Sequence, residues 1–466
     1  MFFDTLDHAP ERPAFITITA DANKSLKHIE HSYADLSLAV QDARQKLTEV
    51  FPPTDNKSRY LVALKMHTDY ASIVQYLALL SARIAVLLID PQCSADKLTA
   101  LQKRFQPNAW VEHTQIDKIH LEPTPIDEQV ALLLPTSGST GAAKTVVLSY
   151  VNLHSNAESI CDFLPITATD RAMNTLPLFY SYGLSVLNTH LMRGACLVLS
   201  DFSVVNREFW QIMREFNISS FAGVPHTYEM LHRLRFDRQQ LPDLRYFTQA
   251  GGKLSPQLIT YFANYAQAHS KLFFIMYGQT EATARMAYLT PEKLQRKPEC
   301  IGQAIPSGEF KLDTGELCYR GPNVMLGYSQ DRVDLENFSP ADWLYTGDLA
   351  EVDEEGDYRI IGRKARFLKL NGVRTDLDAI EHNLRELGMR ALCCGDDQCL
   401  LIGVETDVEH EPATVAATIK HHLHQEMKVH PTLARVITLS SLPITANGKP
   451  DYQAIVQAFE QSTKRV

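Results

Sequence analysis

Up to about residue 360 the chain alternates helical patterns with short β-rich runs, and no other feature limits its fold so tightly. RYLVALKM, IAVLLID, ACLVLS, ISSFAGV and KLFFIMYG predict strands; DYASIVQYLALLSA, REFWQIMREF and PQLITYFANYAQAH predict helices. Such alternation marks a doubly wound α/β architecture with mostly parallel, buried strands. The run GDYRIIGRKARFLKLNGVR then shifts to short strands and tight turns. A helix (LDAIEHNLREL), two strands (MRALCCG, CLLIGVE), a helix (TVAATIKHHLHQEM) and a strand (ARVITLSSLP) follow. The fold class expected is therefore α/β: a large multi-layer α/β domain over residues 1–363 and a small α+β domain over residues 364–466.

With 466 residues the chain can bury a sizeable core. A net charge of −10 argues against a broad nucleic-acid or anionic-membrane footprint, so no nucleic-acid partner is expected. The eight cysteines are scattered, mostly in apolar runs, as free thiols in a reducing compartment would be, and a cytoplasmic location is expected. Cys393, Cys394 and Cys399 match no common zinc spacing; ALCCGDDQCLLIGVE predicts two strands around a GDD turn. The opening MFFDTLDHAPERP has two early acids and no apolar core segment, unlike a secretory signal. Residues 72–90 are the best membrane candidate, but Gln75 and Arg83 interrupt them; a helix running into a short strand is expected, and no membrane span. The histidines of KHHLHQEMKVH predict a polar helix face.

One segment carries chemistry on its own residues. Thr136-Ser137-Gly138-Ser139-Thr140-Gly141-Ala142-Ala143-Lys144 follows the apolar run VALLLP. Its glycines let backbone N–H groups face an anion, its hydroxyls add donors and Lys144 adds charge. A serine- and threonine-rich linker is the plain alternative. A P-loop nucleotidase is the functional one, but that motif needs glycine directly before the lysine, and Ala143 stands there.

Four further segments give that loop its context: YGQTE (277–281), YTGD (345–348), IGRK (361–364) and PITANGK (443–449). In this order and spacing the chain resembles the adenylate-forming superfamily of acyl- and aryl-CoA ligases, peptide-synthetase adenylation domains and D-alanine–carrier protein ligases. ERPAF and HSYADL near the start and GELCYRGPNVMLGY (315–328) extend the resemblance over essentially the whole chain. It implies ATP and Mg2+ as cofactors, with Thr136, Ser137, Gly138, Ser139, Thr140 and Lys144 around the phosphates. Tyr277 and Gly278 on one side, and Gly251, Gly252 and Lys253 on the other, would hold adenine. Thr280 would contact the α-phosphate and Glu281 the metal. Asp348 would accept the ribose hydroxyls, since one carboxylate takes two hydrogen bonds, and Arg363 would fork onto ribose or phosphate oxygens. Lys449 would neutralise charge shifting between the acid and the α-phosphate. Taken singly, each segment also has a plain reading: a strand end, surface charges beside a β-turn, or an Asn-Gly turn with a lysine.

The resemblance also implies that residues 364–466 form a mobile lid, used in two orientations. The usual hinge residue, an aspartate or lysine two positions after the arginine, is replaced by Ala365. The acid pocket carried over from the family is Tyr180, Gly223, Gln249, Met276, Ala284 and Arg285. No acid occurs between Arg171 and Asp201, which disfavours an α-amino acid substrate. A buried Arg285 needs an anionic or polar partner, a second carboxylate or hydroxyl of a small polar acid; the plain alternative is that Arg285 pairs with a carboxylate of the protein or points to the surface. The expected function is an acid–thiol ligase that adenylates a small carboxylic acid and passes it to CoA or to the phosphopantetheine of a carrier protein. A P-loop-type nucleotidase and a catalytically silent adenylate-binding relative are the alternatives.

Overall fold

A computed structural model describes residues 1–21, 25–54, 58–120, 122–136, 144–364, 366–370, 373–406 and 411–463. The chain divides into two compact units: Met1–Phe310 with Tyr319–Leu344, and Lys311–Cys318 with Tyr345–Val466.

The first unit holds two large sheets. In one, six parallel strands lie in the order Leu272–Tyr277, Tyr246–Gln249, Ser220–Gly223, Arg171–Met173, Cys196–Ser200 and Pro13–Ala20, with antiparallel strands at both edges. In the other, four parallel strands lie in the order Val130–Pro135, Ala85–Ile89, Leu61–Lys65 and Ala109–Glu112, again with antiparallel neighbours outside. Every residue of Ala85–Ile89 is buried, as a parallel strand covered on both faces requires. Residues 72–90 are the helix Tyr70–Ser81 running into that strand, and among the described residues no helix is long and apolar enough to cross a membrane.

Register explains much of the packing. Phe221, Phe247 and Phe273 are cross-strand partners on three adjacent strands, and their rings stack with centroids 5.5 and 4.8 Å apart. Each such pair contributes about 0.5–1.5 kcal/mol beyond area burial. Helix starts are fixed by side-chain oxygens: Asp69 caps Tyr70–Ser81, and Ser255, with Pro256 behind it, caps Pro256–Ala268.

In the second unit the GDD segment turns between the antiparallel strands Ala391–Asp396 and Cys399–Glu405. The helix Pro412–Met427 then leads to Ala434–Leu439, parallel to the second of them. Ile380, Leu384, Ile402, Val404, Ile419 and Leu423 form its centre. A last helix, Tyr452–Thr463, was not anticipated from sequence; its Ile455 and Phe459 pack with Leu392.

Candidate active site

The strands Val130–Pro135 and Thr145–Ser149 are an antiparallel pair, and the anion loop joins them. Ser137, Gly138, Ser139 and Thr140 lie outside the described residues. At the loop's mouth the Thr136 N–H and hydroxyl both donate to the Lys144 carbonyl, at 3.1 and 2.8 Å. The Lys144 ammonium stands 4.9 Å from the ring centroid of Tyr328, a cation–π contact. Tyr328 comes from the short strand Gly327–Ser329, antiparallel to Thr145–Ser149. Its hydroxyl donates to Glu281 Oε1 at 2.9 Å. Burial, then the Glu281 charge, hold this phenol well above its ordinary pKa, so it stays a donor. One tyrosine thus joins the loop lysine to the expected metal carboxylate.

The YGQTE segment is nailed in place. Leu272–Tyr277 ends at Gly278, where any Cβ would collide with the Ala284 carbonyl. A 3-10 turn follows at Thr280–Ala282. The Glu281 carbonyl accepts from Met325 N at 2.8 Å, and the Thr283 hydroxyl donates to the Asn323 carbonyl at 2.7 Å. The Thr280 hydroxyl lies 3.3 Å from that of Ser181, at the start of the helix Ser181–Arg193. Tyr180 immediately precedes that helix. Its hydroxyl sits 2.7 Å from where a Cβ on Gly251 would be, and Gly251 has φ +85°, so only glycine fits the turn beneath the phenol. Gln249 is buried and donates to the Ala250 and Gly252 carbonyls at 3.1 and 2.9 Å, which holds that turn. Gly223 is closed in by Tyr228; Met276 and Ala284 are buried, and Lys253 is exposed.

Arg285 is buried, at 2% exposure. Its guanidinium donates to the Ser185 hydroxyl and lies 4.4 Å from the Tyr182 ring centroid. Its Nε has no hydrogen-bond partner, and among the described residues no carboxylate pairs with it. Burial lowers its pKa. Ser185 and Ser181 line a cavity of about 10 Å3, together with Asn156, Leu184, Asn188 and Thr283.

In the second unit Asp348 and Arg363 are cross-strand partners. Arg363 Nε donates to Asp348 Oδ1 at 2.8 Å; the aspartate is buried and the arginine exposed. Asp353 to Asp357 form the turn between their strands. Next to them Glu316 accepts from the Gly347 N–H at 3.0 Å and from Lys364 at 2.9 Å. Ala365 lies outside the described residues, and Arg366 pairs with Asp378 and Glu381, both at 2.6 Å. Lys449 ends a turn in which Thr445 N–H donates to its carbonyl at 2.8 Å and Gly448 takes φ +70°.

Residues 102–329 match the family described as AMP-binding enzyme. That span is similar to an AMP-binding domain. The chain is 26% identical over 431 residues to the D-alanine–D-alanyl carrier protein ligase of Staphylococcus haemolyticus, covering 84% of this chain and 88% of that one. It is 27% identical over 359 residues to the oxalate–CoA ligase of Arabidopsis thaliana, covering 71% of this chain and 67% of the relative. The chain spans 66% and 60% of the length of two further curated acyl-CoA synthetases. ATP-bound MatB from Rhodopseudomonas palustris shares the fold with a TM-score of 0.77 over 98% of both chains, at 19% identity.

Several residues that shape this site were given no role by the sequence, although three of them stand in GELCYRGPNVMLGY. Tyr328 sits in a three-residue strand, and only the pairing Val146↔Tyr328 brings it beside the loop. Asn323 is buried and donates to the Ala282 and Arg285 carbonyls at 2.9 and 3.1 Å, while Tyr319 donates to it at 2.9 Å. Asn156 supplies a second donor to the Arg285 carbonyl at 3.0 Å. Apart from the Tyr319–Asn323 bond, these contacts span dozens of residues, beyond the reach of any periodicity.

Proposed function

We propose that the protein is an ATP-dependent acid–thiol ligase. The observation that carries this reading is the Lys144–Tyr328–Glu281 chain, which puts a cation for phosphate oxygens and a carboxylate for their metal on one rigid support. Mg2+ favours one or two carboxylates together with substrate phosphates, so the single Glu281 carboxylate fits it; the ion would neutralise phosphate charge. Thr136 and Lys144 hold the phosphates, with Ser137 to Thr140. Tyr277 and Gly278 flank adenine opposite Gly251 to Lys253. Asp348 accepts the ribose hydroxyls and Arg363 fixes that carboxylate. In the first half-reaction a carboxylate oxygen of the acid attacks the α-phosphorus and pyrophosphate leaves; Thr280 donates to the α-phosphate and Lys449 neutralises charge as it shifts. In the second, a pantetheine thiolate, of CoA or a carrier protein, attacks the acyl carbon and AMP leaves. Residues 364–466 serve as the moving lid, and the eight free cysteines suit a reducing, cytoplasmic setting.

The acid is small and carries a second anionic or hydroxyl group, which lies in the pocket of Tyr180, Gly223, Gln249, Met276, Ala284 and Arg285. Arg285 supports this: a buried guanidinium whose Nε has no hydrogen-bond partner keeps a donor for an anion. The name of the oxalate–CoA ligase relative points the same way.

The test is pyrophosphate release from ATP across a panel of mono- and dicarboxylic acids, with CoA or a holo-carrier protein added. A ligase releases pyrophosphate only with its acid, a P-loop-type nucleotidase releases phosphate without one, and a silent relative releases neither. Lys449→Ala should lower acyl-AMP formation by about 10²–10³-fold, as loss of a transition-state donor does. Thioester formation from pre-made acyl-AMP should survive. Equal loss in both half-reactions would remove Lys449 from the adenylation step.

A further inference from the structure

We infer that His67, Glu112 and His113 form a binding site for a divalent transition-metal ion, separate from the magnesium carboxylate Glu281. Among the described residues they are the one group of three such side chains whose ligand atoms, one from each, all lie within 4.8 Å of one another.

Topology puts them where α/β sheets bind ligands. Leu61–Lys65 lies between Ala85–Ile89 and Ala109–Glu112, all three parallel. From Leu61–Lys65 the chain crosses through the helix Tyr70–Ser81 to the neighbour on one side. It then returns through the helix Ala95–Phe105 to the neighbour on the other. The connections thus diverge between Leu61–Lys65 and Ala109–Glu112, and such a switch point opens a crevice at the carboxyl ends of the strands. His67 lies two residues past the first strand's end. Glu112 ends the second, in register with Lys65, and His113 follows it. His113 sits at φ +51° in the two-residue turn to Gln115–Lys118.

The geometry suits a nitrogen–oxygen ligand set. His67 Nε2 lies 3.0 Å from Glu112 Oε1, and the two imidazoles stack at 4.3 Å. Zinc bonds of about 2.0–2.1 Å in a tetrahedron place neighbouring ligand atoms about 3.3 Å apart. The outer contacts are also present. Asp69 Oδ2 lies 2.8 Å from His113 Nδ1, which leaves Nε2 as the nitrogen available to a metal, and Lys65 holds Glu112 Oε2 at 2.8 Å, which leaves Oε1. A carboxylate on the far nitrogen of a ligating imidazole fixes its tautomer and orientation. Two imidazoles and one carboxylate favour Zn2+, Co2+ or Ni2+ over the hard ions Mg2+ and Ca2+. All three side chains are partly exposed, so water can complete the coordination.

The test is calorimetric titration of the full chain with Zn2+ and, separately, Mg2+, with Co2+ absorption to report the ligand type. We expect one Zn2+ per chain, no Mg2+ at these residues, and a Co2+ spectrum without thiolate charge transfer. His67→Gln/His113→Gln should abolish Zn2+ binding, and Asp69→Asn, which retains a helix cap, should weaken it about tenfold. Acid-dependent pyrophosphate release with Mg2+ should be unchanged in the double variant, which shows that it folds. Absence of Zn2+ binding, binding undiminished in the double variant, or a thiolate-type Co2+ spectrum would each overturn the site.

Discussion

Two buried arginines of the first unit, Arg332 and Arg285, are treated in opposite ways. Arg332 is surrounded by acceptors: Thr124 Oγ1 at 2.6 Å, Asn108 Oδ1 at 2.8 Å, the Phe105 carbonyl at 3.3 Å and the Gln106 carbonyl. It ties together segments more than two hundred residues apart, although burial pushes its pKa down to about 10. Arg285 has hydroxyls and an aromatic face around it, with Nε unmet. Burial lowers its pKa too. A buried cation is tolerated when acceptors replace its water. Arg332 has that replacement within the chain, so its charge holds the fold. Arg285 lacks it, and we propose that its charge meets a polar group of the acid substrate.

The sharpest way to break this contrast is to remove both charges. Arg332→Leu withdraws a charged donor from three carbonyl-type acceptors and should cost about 3–5 kcal/mol of stability. Arg285→Leu should leave stability unchanged or raise it, because the Ser185 hydroxyl it leaves keeps its bond to the Tyr182 carbonyl and no buried charge is left behind. Chemical denaturation of both variants compares them directly. If Arg285→Leu unfolds as early as Arg332→Leu, Arg285 is structural and the substrate reading of it falls.

The same Arg285→Leu substitution should change acid preference. For a dicarboxylic acid against an apolar monocarboxylic acid of equal size, the kcat/KM ratio should fall by about a hundredfold or more, as loss of a desolvated charge pair implies. An unchanged ratio would mean that Arg285 does not face the acid.

The two arginines also mark what the sequence discloses. Strand and helix alternation was legible because buried parallel strands and helices leave short-range patterns, and the predicted elements around Leu61, Ala85, Leu272 and Pro256 are present. The resemblance put Arg285 in the acid pocket but left a surface position open, and the structure buries it. That it lacks a carboxylate was not legible, because this depends on every segment packed around it. The segment that holds Tyr328 and Asn323 was legible, but their contacts, like the pairing of His67 with Glu112, were not: strand register, set by distant turns, brings them together. The final helix did have a trace, in apolar residues at 452, 455 and 459, one face of a helix.

Asp348 and Arg363 are an intermediate case, a charge pair within one sheet whose carboxylate is buried. Asp348→Ala should weaken ATP binding by about 1.5–3 kcal/mol, the value of a hydrogen bond to a charged acceptor. Calorimetry with unchanged ATP affinity would reduce the pair to a structural cross-strand contact.

Tyr328 gives the smallest and most selective test. Its ring faces the Lys144 ammonium and its hydroxyl donates to Glu281, so it joins a cation and an anion without being charged. Tyr328→Phe keeps the ring and removes only the donor. The Lys144 contact should persist, while Glu281 loses one neutral-to-charged hydrogen bond, worth about 1.5 kcal/mol. MgATP affinity should then fall about tenfold, with kcat for adenylation little changed, since the lost contact orients a ligand already needed in the ground state. Tyr328→Leu, which removes the ring as well, should add a further loss of about 0.5–1 kcal/mol from the cation–π contact. Equal affinities for the native protein and Tyr328→Phe would show that Glu281 is placed by its backbone alone, through the Met325 hydrogen bond to its carbonyl, and that the tyrosine serves only the lysine.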